Sequence, residues 1–251
     1  MIADSEWYAN EEFWEWSFSF MFPARRFEQA GEEVDQLVSL SEVRHGRVLD
    51  LACGPGRHSV QFAKRGFDVT GVDRSSFLLD HARRNATSAG VDIEWIEQDM
   101  LSFVRPSSFD LALSIFTSFG YFERPEDNRA VLENVYSSLK PGGRFVIHVL
   151  GKEPLAHKFL PTDFKELEDG RLLIQHREII DDWTRLRATW LVVQGTGAEH
   201  FSFRVWIYSG SELRQMLAHA GFGPVNLYGA LDGRAYDLDA QRLVAVATKP
   251  L

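Results

Sequence analysis

Val48-Leu49-Asp50-Leu51-Ala52-Cys53-Gly54-Pro55-Gly56-Arg57-His58 is the stretch whose reading decides the fold. An apolar run of this kind suits a parallel strand covered on both faces. Gly54 and Gly56 remove side chains where the backbone must turn and approach a ligand. Ser59 to Arg65, stopped by Gly66, predicts a short helix whose N-terminus faces that turn. A second strand, Asp68 to Val72, ends at Asp73, 19 positions after Gly54. An acid at that distance can accept hydrogen bonds from a ribose diol. A dinucleotide fingerprint calls for a third glycine at position 59, where this chain has Ser59, and Arg57 and His58 crowd the helix start.

Working outward, helical spacing covers 27–40, then strand 47–52, helix 58–65, strand 68–73 and helix 75–88. Ile93–Glu97 and Phe109–Ile115 read as strands. Pro125 opens a helix at its preferred first position, Pro141-Gly142-Gly143 stops it, and Arg144–Leu150 is a further strand. Repeated β-α units predict an α/β, doubly wound parallel sheet. Past residue 165 the pattern changes. Arg171–Ile180, Arg185–Gln194 and His200–Tyr208 predict an inserted three-stranded antiparallel layer over 165–208. Ser209 and Glu212 form a capping box for helix 210–220, and Val225–Ala230 and Arg242–Thr248 finish as a strand pair. The whole chain, 1–251, reads as one domain.

The 251 residues carry 45% hydrophobic side chains, enough for a large core, and a net charge of −9. The basic residues are dispersed, which argues against a nucleic-acid backbone as partner. The single cysteine, Cys53, excludes an intrachain disulfide. The N-terminus, with Asp4, Glu6, Glu11 and Glu12, has no signal-peptide core, and no stretch approaches the roughly 20 apolar residues of a membrane span. A cytoplasmic protein, monomer or homodimer, is expected. The histidines show no zinc-like spacing, so no metal is expected.

These residues resemble the class I S-adenosylmethionine-dependent methyltransferases across nearly the whole chain. Asp50 to Gly56 is similar to that family's first motif, with Ala52 in place of its common first glycine. Asp73 resembles the ribose acid, and Gln98-Asp99-Met100 the adenine motif. Phe109-Asp110 resembles the fourth motif, and Leu139-Lys140-Pro141-Gly142-Gly143 the turn before the fifth strand. Ile115-Phe116-Thr117-Ser118-Phe119-Gly120-Tyr121-Phe122 and the β insertion are most similar to the bacterial small-molecule branch, which includes amino-sugar N-methyltransferases. The resemblance implies a Rossmann-like seven-stranded sheet with its last strand antiparallel, S-adenosylmethionine as cofactor and S-adenosylhomocysteine as product.

Ligands of such a sheet bind beyond the carboxyl ends of its strands. The expected cofactor set is therefore Asp50, Ala52, Gly54, Gly56, His58, Asp73, Arg74, Asp99, Met100 and Ile115. The catalytic candidates are Tyr121, to orient an acceptor, and His148, to take its proton. His148 reads more readily as a hydrogen-bonded core histidine, and His58 also as an occupant of the first turn of its helix. The aromatic segment within 1–40 reads as a helical lid. The β insertion reads as a roof over the acceptor, with Tyr121, Arg204, Tyr208, Arg234 and Tyr236 as acceptor contacts. The function expected is methyl transfer to nitrogen or oxygen of a small molecule. The alternatives are an RNA or protein methyltransferase, though an Asn-Pro-Pro-Tyr-type tetrapeptide is missing where Ser114-Ile115-Phe116-Thr117 stands, or a non-catalytic cofactor binder.

Overall fold

The apolar runs form the central strands, and the amphipathic segments between them form the covering helices. The computed structural model describes residues 6–251; residues 1–5 of the expected lid, Asp4 among them, lie outside the described residues. A 3-10 turn at Trp7–Ala9 leads into helices α1 (Glu11–Met21) and α2 (Ala24–Ser41). The Asn10 side chain caps α1 by accepting from the Glu12 N–H at 3.0 Å, and α2 buries Ala30, Val34 and Leu37 along one stripe. Next come β1 (Arg47–Leu51), α3 (Arg57–Lys64), β2 (Asp68–Asp73), α4 (Ser76–Ala89), β3 (Glu94–Glu97), β4 (Phe109–Ser114), α5 (Pro125–Ser138) and β5 (Leu139–Val149). After α6 (Lys152–Lys158) run β6 (Thr162–Glu166), β7 (Leu172–Ile180), β8 (Arg185–Gln194) and β9 (Gly197–Trp206). Helix α7 (Gly210–His219), β10 (Val225–Tyr228) and β11 (Leu243–Thr248) complete the chain.

The main sheet has seven strands in the order β10-β11-β5-β4-β1-β2-β3. The last strand, β11, runs antiparallel to β5 and β10, as expected, and the remaining pairs are parallel. The winding reverses between β1 and β4, which opens a crevice at their carboxyl ends. One detail differs from the sequence reading. The register jumps from Phe109↔Leu139 to Leu111↔Arg144, so Pro141-Gly142-Gly143 bulge within β5 instead of preceding it.

The second sheet is antiparallel and has four strands, β6-β7-β8-β9, beginning at Thr162, where three strands from 165 were expected. The extra strand, β6, lies at an edge, and of its residues only Asp163 is even partly buried. A strand with no buried face carries no period-two signal. The sheet is fastened to the loop after β4: the Trp206 backbone N–H donates to the Gly120 carbonyl, and its indole Nε1 donates to the Phe122 carbonyl, both at 2.8 Å. Its inner face, including Leu186, Ala188, Phe203 and Val205, packs on Trp7, Phe13 and Trp14. The aromatic N-terminus is thus held between the second sheet and the crevice. No described helix is long and apolar enough to cross a membrane.

Candidate active site

Beyond the carboxyl ends of β1, β2 and β4 lies a cleft of about 350 Å³. Its floor is the turn after β1. Ala52 sits in the left-handed region at φ 58°, a conformation that costs a residue with a Cβ about 1 kcal/mol. Gly54, at φ 56°, turns its backbone N–H to the Asp73 Oδ2 at 2.7 Å. Asp73 Oδ1 accepts from the Ser75 N–H at 2.9 Å, so this acid ties β1 to the cap of α4. Burial pushes the Asp73 pKa up to about 6, with Asp50 and Glu11 adding to the rise against the Ser75 and Gly54 N–H groups.

Asp50, at the end of β1, is 2% exposed and accepts the Ser59 hydroxyl at 2.6 Å. Burial raises its pKa, against the fields of His58 and Arg57 and the Ser59 bond. The opposite wall carries Asp99. Its Oδ1 accepts the Leu101 N–H and its Oδ2 faces Arg74, both at 2.8 Å. Asp50, Ala52, Gly54, Asp73, Arg74, Asp99, Met100, Ile115 and Tyr121 all line this cleft. His58 also reaches it, but its Nε2 lies 2.8 Å from the Glu33 carboxylate and its ring stacks on Phe116. The cleft therefore collects three carboxylates, each held in place by hydrogen bonds from the chain itself.

Gly56 does not line the cleft. It ends the turn at φ 72°, and a Cβ there would stand 2.6 Å from Trp95 and 3.0 Å from Ala82. It is needed for packing α3 close to β3 and α4.

A second cavity of about 500 Å³ adjoins the cleft and shares Met21, Arg26, Phe116, Tyr121, Gln175 and Trp190 with it. Its remaining walls come from the second sheet, α6 and the N-terminal segment, with Thr117, Leu150 and Arg242. Tyr121 stands between the two spaces, packed against Trp7 and Tyr8, and burial raises its pKa so that the phenol stays neutral.

The other expected acceptor contacts lie elsewhere. Arg204 points to the outer face of β9 toward Glu123, because its neighbours Phe203 and Val205 take the inner one. Tyr208 is 7% exposed and packs on Phe119 in the main core. Arg234 pairs with Asp232 in an exposed turn. The Tyr236 hydroxyl donates to Glu153 at 2.7 Å. None of these four lines either cavity.

His148 is not placed to act as a base. Its Nδ1 accepts the Phe116 N–H at 3.0 Å and its carbonyl accepts the Thr117 N–H at 2.9 Å. Burial, reinforced by Arg242, pulls its pKa down to about 3. The histidine braces Phe116 and Thr117, which sit at φ 58° and 66°, and so holds the Phe116 ring between the cavities. Arg57 covers that ring, 4.2 Å from its centroid, and pairs with Glu33. Sequence reading missed Arg26, Glu33 and Gln175. Phe116 carried a signal as part of the Ile115–Phe122 segment, and Trp190 as one of the alternating residues of the β insertion.

Residues 48–143 match the family model described as "Methyltransferase domain". The chain is 27% identical over 208 residues to the dTDP-3-amino-3,4,6-trideoxy-alpha-D-glucopyranose N,N-dimethyltransferase of Streptomyces venezuelae, covering 80% of this chain and 86% of that protein. The CcbJ methyltransferase from Streptomyces caelestis superposes with a TM-score of 0.77 at 21% identity, over 89% of this chain and 90% of that one. In sequence and fold the chain is similar to class I S-adenosylmethionine-dependent methyltransferases. The putative methyltransferase YqeM of Bacillus subtilis (strain 168) is 31% identical over 125 residues. That match spans 49% of this chain and 50% of YqeM's length.

Proposed function

We propose that this protein transfers the methyl group of S-adenosylmethionine to nitrogen or oxygen of a small-molecule acceptor. The observation that carries the reading is the joining of two cavities: the cleft at the strand ends, which carries Asp50, Asp73 and Asp99, adjoins an aromatic-walled chamber, and the two share Tyr121 and Phe116. The residues present fit the cofactor. Asp73 would hold the ribose hydroxyls, and Asp99 with the Met100 backbone the adenine edge. Ala52 and Gly54 present bare backbone to the methionine portion. The buried Asp50 would face its ammonium end, where a donor relieves the cost of keeping a carboxylate out of water.

When bound, S-adenosylmethionine supplies an already activated sulfonium methyl, so the chain's task is to orient two partners and keep water out. Orientation of that kind is worth up to roughly 7–11 kcal/mol of barrier. Phe116 and Tyr121 wall the junction of the two spaces, and the N-terminal aromatics close it, which supports the reading of 1–40 as a lid. The names of similar proteins support a nitrogen acceptor: the Streptomyces venezuelae relative is an N,N-dimethyltransferase of an amino sugar.

The test is release of S-adenosylhomocysteine from S-adenosylmethionine across a panel of amine, hydroxyl and carboxyl metabolites. The account expects turnover with at least one of them, matched by one methyl group gained per molecule released. Tight binding of the cofactor with no release for any acceptor would instead favour a binding protein, and salt-sensitive RNA binding a nucleic-acid substrate.

A further inference from the structure

The chain is acidic overall, yet its inner chamber has the opposite sign. Arg26, Lys158, Arg177 and Arg242 line it, against a single carboxylate, Asp163. That carboxylate is already engaged by Arg177 at 3.3 Å. Arg26 and Arg242 are different. Among the described residues, neither guanidinium makes a hydrogen bond or an ion pair within 4.0 Å. The nearest acid to Arg26, Glu33, is occupied by Arg57 and His58. Both arginines also line a smaller cavity of about 270 Å³ beside His148, so they form the wall that the two spaces share.

Arg242 stands exposed at the cavity mouth, with protein packed around the rest of its side chain. Burial lowers its pKa, and the charge of Arg26 lowers it further. Two like charges lining the same cavities without partners form an arrangement that an anion would stabilise. The rest of the chamber is aromatic and aliphatic, with Trp7, Phe159, Trp190 and Phe203 among its walls. The guanidinium fork suits two oxygens of one planar or tetrahedral anion.

We propose that Arg26 and Arg242 form an anion subsite in this chamber, so that the acceptor is a small molecule bearing a carboxylate or phosphate on an apolar or aromatic body. The proposal rests on reading the chamber as the acceptor site. It puts the acceptor's anion against Arg26 and Arg242, beside the cleft that carries Asp50, Asp73 and Asp99.

The test uses the full chain saturated with S-adenosylhomocysteine and three calorimetric titrations, with benzoate, phenyl phosphate and the uncharged benzyl alcohol. At least one anion is expected to bind tenfold or more tighter than benzyl alcohol, and whichever of the two binds tighter identifies the group. Arg242→Gln is expected to remove that preference while leaving the melting temperature and the S-adenosylhomocysteine affinity unchanged, and Arg242→Lys to keep part of it. Anions that bind no tighter than benzyl alcohol, or a preference that survives Arg242→Gln, would overturn the subsite. Failure of S-adenosylhomocysteine itself to bind would overturn the methyltransferase reading beneath it, and is seen in a separate titration.

Discussion

At the scale of single residues, Asp73 shows how one carboxylate serves both fold and site. Its pKa of about 6 lies above that of a free carboxylate, so its ionisation costs the cofactor-free fold stability. That cost appears as pH rises from about 4 to about 6 and is fully present above. Donors from a bound cofactor favour the ionised form. The dissociation constant of S-adenosylhomocysteine should therefore rise as pH falls below about 6, by up to roughly tenfold per pH unit. Asp73→Asn should bind weakly and show no such slope; a wild-type affinity that is flat between pH 5 and 7 would contradict this. Gly56 offers a second residue-scale prediction. A methyl group there meets Trp95 at 2.6 Å on a backbone at φ 72°. Gly56→Ala should cost about 2–4 kcal/mol in denaturant unfolding, from overpacking together with left-handed strain. The glycine spacing that identified the motif was legible in the sequence. Its division of labour was not, because Trp95, which makes Gly56 a packing glycine, sits on another strand.

At the scale of elements, the brace between β5 and the loop after β4 explains why His148 looked catalytic. A histidine near the carboxyl end of a central strand is in the right place for chemistry, and only its partners reveal its work. Because Nδ1 is taken by the Phe116 N–H and the ring stays neutral, His148→Ala should lower stability by about 1–3 kcal/mol. It should also raise the KM for S-adenosylmethionine as Phe116 loosens. The pH profile of kcat between 5 and 9 should keep its shape, and a lost ionisation in that profile would restore His148 as a base. The second sheet holds a related lesson. Alternation along β8 and β9 was readable, but alternation does not say which parity faces inward. The pairing of Arg187 with Arg204 on the outer face leaves Ala188, Phe203 and Val205 for the chamber. Arg204 thus fell on the wrong side for an acceptor contact.

At the scale of the whole molecule, the β-α rhythm and the strand-end acids were enough to foresee the parallel part of the main sheet and the floor of the cleft, and the family resemblance implied the antiparallel last strand. The second cavity was only partly foreseeable: the insertion and the N-terminal segment were expected to cover a site, but which side chains line it depends on α1, α2, α6, the loop after β4 and the second sheet meeting from far apart in the chain. This assembly makes a prediction about dynamics. Binding of S-adenosylhomocysteine should slow amide exchange over Trp7–Met21 and the loop 116–122, and leave β10 and β11 unchanged. Uniform protection across the sheet would argue against a lid. The central claim is that the cleft beneath Asp73 and Asp99 holds the cofactor. Its most direct measurement is calorimetric titration of S-adenosylhomocysteine into wild-type protein and Asp73→Ala. The account predicts one site per chain in the wild type and at least a tenfold loss of affinity in the variant. No binding to the wild type, or equal binding to both, would contradict it.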